Sequence, residues 1–265
     1  MDEMLEAQRV KSLVYRVTST EDTNYKDPAP LEVDTKKWKG RLDNGILTCH
    51  IKAHYSSVTD ARKEVERYLR AWEIDAAITC GRGSIAFVYQ NAEVLDLTPR
   101  DRGDVVVHPQ ACEAVALADT VKVILTRTSY PPPPKVFTLS PDVESLWHRY
   151  EGYLDGKEPL LTMAYFCLTT IVEAYGQGDR KASAHAMNVD PAILSMLGRL
   201  TSTKGDSRTA RKAPKRGDSQ PLSGTECAWI QAVVKMLIRR AGEHAACDDS
   251  STLPKIGMSD FPPLE

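Results

Sequence analysis

At 265 residues the chain can hold one large domain or two small ones. Its 34 Lys and Arg against 36 Asp and Glu leave a formal charge of −2, so bulk charge favours neither nucleic acid nor a membrane surface, and any electrostatic argument has to be local. The six cysteines (49, 80, 112, 167, 227 and 247) form no C-x-x-C pair, which argues against a zinc site or a disulfide frame and for free thiols in a reducing compartment.

The first ten residues, MDEMLEAQRV, are acidic and polar, unlike a signal peptide. Residues 11–19 alternate like a short strand, with Leu13, Tyr15 and Val17 on one face. Residues 21–39 are polar, contain Pro28 and Pro30, and read as a loop. Asp43-Asn44-Gly45 is a turn signal that leads into a strand over 46–55. His50 and His54 share one face of that strand, but no third ligand lies nearby, so no metal site is expected.

Residues 59–77 form an amphipathic helix, with Ala61, Val65, Tyr68, Leu69, Trp72 and Ala76 as its inner stripe. Gly81-Arg82-Gly83-Ser84 breaks the chain from helix to strand, the reverse of a phosphate-binding loop. Strands are expected over 84–90, 93–97, 104–108 and 121–128, with a short helix over 110–119. Four prolines, 131–134, then make a stiff polyproline II spacer.

Beyond it the character changes to all helix. Ser140-Pro141 is an N-cap followed by proline at the first helical position, opening a helix to about 154. The next, over 160–175, is apolar nearly all round except for Glu173, fits the centre of a bundle and is too short to span a bilayer comfortably. A short helical piece covers 180–187, and Asp190-Pro191 caps another with Ile193, Leu194, Leu197 and Leu200 inside. The last helix begins at Ser223 with Glu226 at capping-box spacing, and it looks like the element the bundle is organised around. Residues 253–265 hold three prolines and read as an extended strap or a loose tail.

The expected fold class is therefore α+β: a mixed, mainly antiparallel sheet with one long helix over 1–138, a helical bundle over 139–249, and an extended tail over 250–265. The expected setting is cytoplasmic, with no membrane anchor and no cofactor.

Two stretches carry candidate chemistry. Residues 199–216 hold Arg199, Lys204, Arg208, Arg211, Lys212, Lys215 and Arg216 against one acid, Asp206, a net charge of +6. Such a loop suits a phosphate backbone, and without aromatic residues it would bind RNA without reading its sequence. Alternatively it is simply a solvated loop. The second stretch is Arg239-Arg240-Ala241-Gly242-Glu243-His244, in which Arg240 and His244 share a helix face and Arg239 lies to the side.

An Arg, four intervening residues and a His, at the end of the last helix of a small bundle, resembles the HEPN superfamily. The resemblance covers about residues 141–247. It implies metal-independent RNA cleavage at a homodimer interface, with His244 as general acid or base on the ribose 2′-hydroxyl and Arg239 holding the scissile phosphate. Two departures stand out: Arg240 occupies a place where the family usually has a small polar residue, and Gly242 loosens the helix. On the other reading both arginines pair with Glu243 on a wet face. Two functions follow. One is a HEPN-like protein that acts on or binds RNA, an endoribonuclease in a bacterial defence or toxin system. The alternative is a non-enzymatic binding or scaffold subunit, with a partner-recognition domain and a dimerising bundle.

Overall fold

The computed structural model describes residues 8–20, 23–96, 106–107, 125–205, 220–247 and 252–264. The chain divides into two units, Met1–Pro134 and Lys135–Glu265. The first is a sheet with a helix and the second is all helix, an α+β organisation.

In the first unit, β1 (Gln8–Thr18) is the central strand. It pairs antiparallel with β5 (Ile46–Ile51) on one side and β6 (Ala86–Asp96) on the other. Beyond β5 lie β4 (Trp38–Asp43) and β3 (Leu31–Asp34), and beyond β6 lies β7 (Val106–Val107), giving the order β3-β4-β5-β1-β6-β7. A separate parallel pair joins β2 (Thr23–Tyr25) to β8 (Leu125–Arg127). Helix α1 (Val58–Cys80) starts on Ser57, whose hydroxyl accepts the Thr59 N–H, and covers one sheet face. Val65, Leu69 and Trp72 pack there against Leu13, Trp38, Leu42 and Leu47. The opposite face is laced with ion pairs, among them Lys11–Glu93, Lys39–Glu32 and Lys52–Asp34.

Three expectations need correction here. The stretch 21–39 is no simple loop, because it supplies β2, β3 and the start of β4. The expected strands over 84–90 and 93–97 are one continuous strand, β6, whose bulged register against β1 spans both. The strand carrying His50 ends at Ile51, so His54 lies beyond it, and the two do not share a strand face. The expected helix over 110–119 lies outside the described residues.

The second unit contains α2 (Pro141–Leu154), α3 (Leu160–Gly176), α4 (Arg180–Ala186), α5 (Pro191–Thr203) and α6 (Gly224–Ala246). Each start but that of α3 is fixed by a side-chain cap: Ser140 on Val143 N–H, Asp179 on Lys181 and Ala182, Asp190 on Ala192, and Ser223 on Glu226. In α6 the box is complete, since Glu226 Oε2 accepts the Ser223 N–H at 2.8 Å. The hub of the bundle is α3, not α6: it packs against α2, α4, α5 and α6. Its apolar circumference dictates this, because every side must be covered. Close approach is built in where α3 meets α4. A Cβ on Gly176 would lie 2.7 Å from the Ser183 backbone N, and Ser183 Oγ donates to Ile171 O at 3.1 Å.

The tail is a strap docked on this unit rather than a separate part. Its backbone bridges Val189 to Ile256 in parallel, Met258–Asp260 forms a 3-10 turn, and the Phe261 ring meets Trp229 edge-on at 6.1 Å.

Candidate functional site

Helical geometry separates Arg239 from its neighbour Arg240 by about 100° of rotation, and the two side chains have different fates. Arg239 is exposed, and its Nε lies 3.3 Å from Glu243 Oε1. Arg240 is 2% exposed. Its Nε lies 3.0 Å from Glu243 Oε2, its Nη1 donates to Met187 O at 3.0 Å, and its Nη2 donates to Pro254 O at 2.8 Å. Burial pulls the Arg240 pKa down, and the Glu243 charge opposes that shift. One carboxylate thus holds both arginines, and the planar fork of Arg240 fastens α6 to the end of α4 and to the strap.

His244 is half-buried, with its ring edge-on to Tyr175 at 4.8 Å. Burial, with Asp142 adding to it, pushes the Tyr175 hydroxyl up to about 12, so this phenol stays protonated at neutral pH. Gly242 has a packing reason. A Cβ there would lie 2.2 Å from the Phe137 ring, and Thr138 N–H donates to Gly242 O at 2.9 Å. Positions five apart on a helix, such as Arg239 and His244, lie about 140° apart around the axis.

Of the basic stretch, Arg199 and Lys204 are described. Arg199 is exposed, with Nη2 2.9 Å from Met196 Sδ, while Lys204 Nζ pairs with Glu226 Oε1 at 3.1 Å, beside the cap of α6. Arg208, Arg211, Lys212, Lys215 and Arg216 lie outside the described residues. The two ends of that segment meet, since Gly205 and Gln220 form an antiparallel bridge with Gly205 N–H donating to Gln220 O at 2.8 Å.

The sequence reading missed a cleft of about 360 Å³ in the first unit. The end of β1 contributes Val17 and Ser19, β2 contributes Asn24 and Tyr25, and the β4–β5 turn contributes Asn44 and Gly45, with Asp27, Pro28 and Tyr130 closing it. Asn44 and Gly45 both have positive φ, +49° and +76°, the conformation a tight hairpin needs and the reason for an Asn-Gly pair there. The Gly45 N–H donates to Tyr130 Oη at 2.8 Å, which leaves that hydroxyl's own proton available. Tyr25 Oη donates to Ser84 O, and the two tyrosine rings lie 4.7 Å apart. Burial raises the Tyr25 hydroxyl to about 12, so it serves as a neutral donor. Of the described residues lining the cleft, Asp27 alone is charged. Only the Asn-Gly turn was visible beforehand, and Tyr25 and Tyr130 are 105 positions apart with nothing local to connect them.

Among the described residues, no three His, Cys, Asp or Glu side chains are grouped to hold a metal ion, and no helix is long and apolar enough to cross a membrane. No family model, curated protein or solved structure matches this chain.

Proposed function

We propose that the chain is a non-enzymatic binding protein whose first unit recognises a partner and whose helical unit serves as a scaffold. The observation that carries this reading is the engagement of both motif arginines by Glu243, with the fork of Arg240 directed at two backbone carbonyls. A phosphate clamp needs its guanidinium aimed at the ligand before the ligand arrives, whereas here Glu243 engages Arg239 and Arg240 is buried. The expected outcome is that purified chain incubated with single-stranded RNA in chelator produces no more cleavage than its His244→Ala variant. RNA cleavage by the parent that this variant abolishes, with its melting temperature unchanged, would refute the reading.

The recognition site on this reading is the cleft at Tyr25 and Tyr130. A lone carboxylate, two asparagine carbonyls and tyrosine rings suit the cationic side chain of a protein partner and disfavour a phosphate. The test is an NMR titration with N-acetyl-argininamide and N-acetyl-lysinamide. Resonances of Asn24, Tyr25 and Asn44 are expected to shift in the parent and to stay still in Asp27→Asn. Equal shifts in both proteins would contradict the assignment.

The second reading, an RNA-binding or RNA-cleaving HEPN-like homodimer, is favoured by one observation. The Gly205–Gln220 bridge fixes both ends of a segment holding five cations: Arg208, Arg211, Lys212, Lys215 and Arg216. On that reading RNA affinity falls steeply with salt, and replacing Arg208, Arg211 and Lys212 by Gln lowers the log–log slope by about 3.

A further inference from the structure

The strap is held in an unusual way: the groove beneath it reads its main chain. Two residues past the end of α4, Asn188 takes the left-handed conformation at φ +49°. Asn tolerates that region better than other non-glycine residues. The turn leaves the backbone of 188–190 facing the strap: Asp190 N–H donates to Ile256 O at 2.8 Å, and Ile256 N–H donates to Asn188 O at 3.1 Å. The Asn188 side chain donates to Leu253 O at 2.7 Å, and Arg240 donates to Pro254 O at 2.8 Å. The carbonyls of 253, 254 and 256 are all engaged. Pro254 has no N–H of its own to satisfy. Side-chain recognition comes from Leu253, which is buried, and from Phe261 against Trp229. This is peptide capture by strand-like pairing with anchor residues.

The groove atoms come from Met187, Asn188, Asp190, Trp229 and Arg240, all of which precede the strap. The connection from Cys247 to Thr252 therefore supplies proximity, while the groove itself supplies the bonds. We propose that this is a peptide-docking groove in which the chain's own C-terminal segment is the resident ligand, and that the same segment of a second copy can take its place. Every bond described above forms identically in trans, and exchange of an identical element is a low-cost route to a dimer. The inference stands independently of the function proposed above.

The experiment uses two full-length variants. Leu253→Lys spoils the strap by removing its buried anchor and keeps the groove; Arg240→Met spoils the groove and keeps the strap. A fluorescent peptide of residues 252–264 is expected to bind the Leu253→Lys chain and to bind the parent roughly tenfold or more weakly, because the resident strap competes. Adding Arg240→Met to Leu253→Lys is expected to weaken peptide binding by about 10- to 100-fold. Mixing the two single variants is expected to give a one-to-one heterodimer by light scattering, while each alone stays monomeric. The proposal is overturned if the Leu253→Lys chain keeps its helical circular dichroism yet binds no peptide, or if the mixture stays monomeric. Loss of the bundle in Leu253→Lys and in the milder Phe261→Ala would equally overturn it, by making the strap part of the core rather than a ligand of it.

Discussion

Arg239 and Arg240 are adjacent in sequence and opposite in consequence. Replacing Arg240 by Met leaves the Met187 and Pro254 carbonyls without its donors and removes a buried ion pair with Glu243, at a cost of about 3 kcal/mol in urea denaturation. Arg239→Ala removes an exposed ion pair and is expected to leave the melting curve where it is. Nothing local in the sequence separates the two, because arginine is by default a surface residue and the carbonyls that hold Arg240 belong to residues 187 and 254. Gly242 teaches the same lesson. From the sequence it looks like a loosened helix, whereas in the fold it is the seat of the Phe137 ring, so Gly242→Ala is expected to cost about 1–3 kcal/mol through overpacking. At Gly224 a Cβ meets nothing, and the same substitution is expected to be neutral or mildly stabilising. Two thiols set a pH limit. Burial pushes Cys49 and Cys167 from an ordinary 9.0 up to about 12. Between those values the unfolded chain has lost protons that the folded chain retains, so stability is full below pH 9 and falls as pH rises toward 12. Thermal melts across that range are expected to show the decline, and Cys49→Ala is expected to reduce its slope.

Among the elements, the helices were legible because their signals are local. Ser140, Asp190 and Ser223 each announce a start within three residues, and all three cap in the fold. Ser223→Ala is expected to cost about 1 kcal/mol, measurable by denaturation, since it frees the Glu226 N–H and breaks the box. Strand β4 was not legible. Its sequence, WKGRLD, alternates correctly, but three charges and a glycine disguise it. The glycine is there because the Trp38 ring lies over it: a Cβ on Gly40 would come within 2.8 Å of that ring. Strands β2 and β8 are three residues each and pair across 102 positions, so no local pattern could reveal them. The hub of the bundle was misplaced for a related reason. A capping box marks where a helix starts, but the all-round apolarity of α3 decides which helix sits in the middle.

At the scale of the molecule, the proline run marks the boundary without being a plain spacer. Pro131 is buried, and its carbonyl accepts the Trp72 indole N–H at 3.1 Å, so the first proline still belongs to the sheet unit, which ends at Pro134. Lys135–Glu265 forms its own compact unit, with its core, caps and strap all internal. Made alone, residues 135–265 are expected to give a helical spectrum and one cooperative melt; a non-cooperative melt would show that this unit depends on the other. The composition, the two-part organisation and the all-helical second half could be read from the chain. The cleft of Tyr25 and Tyr130 could not, because it exists only once β2, the β4–β5 turn and residue 130 have been brought together.

The central claim is that the buried cation near the end of α6 is an anchor for the strap. Amide hydrogen exchange by mass spectrometry on the parent and on Arg240→Met addresses it most directly. The account predicts that in the variant the amides of Asp190 and of residues 255–261 lose protection by roughly the fold-change of one charge-assisted hydrogen bond, about 10- to 100-fold, while those of α3 remain slow. Unchanged protection of the strap in the variant would contradict it.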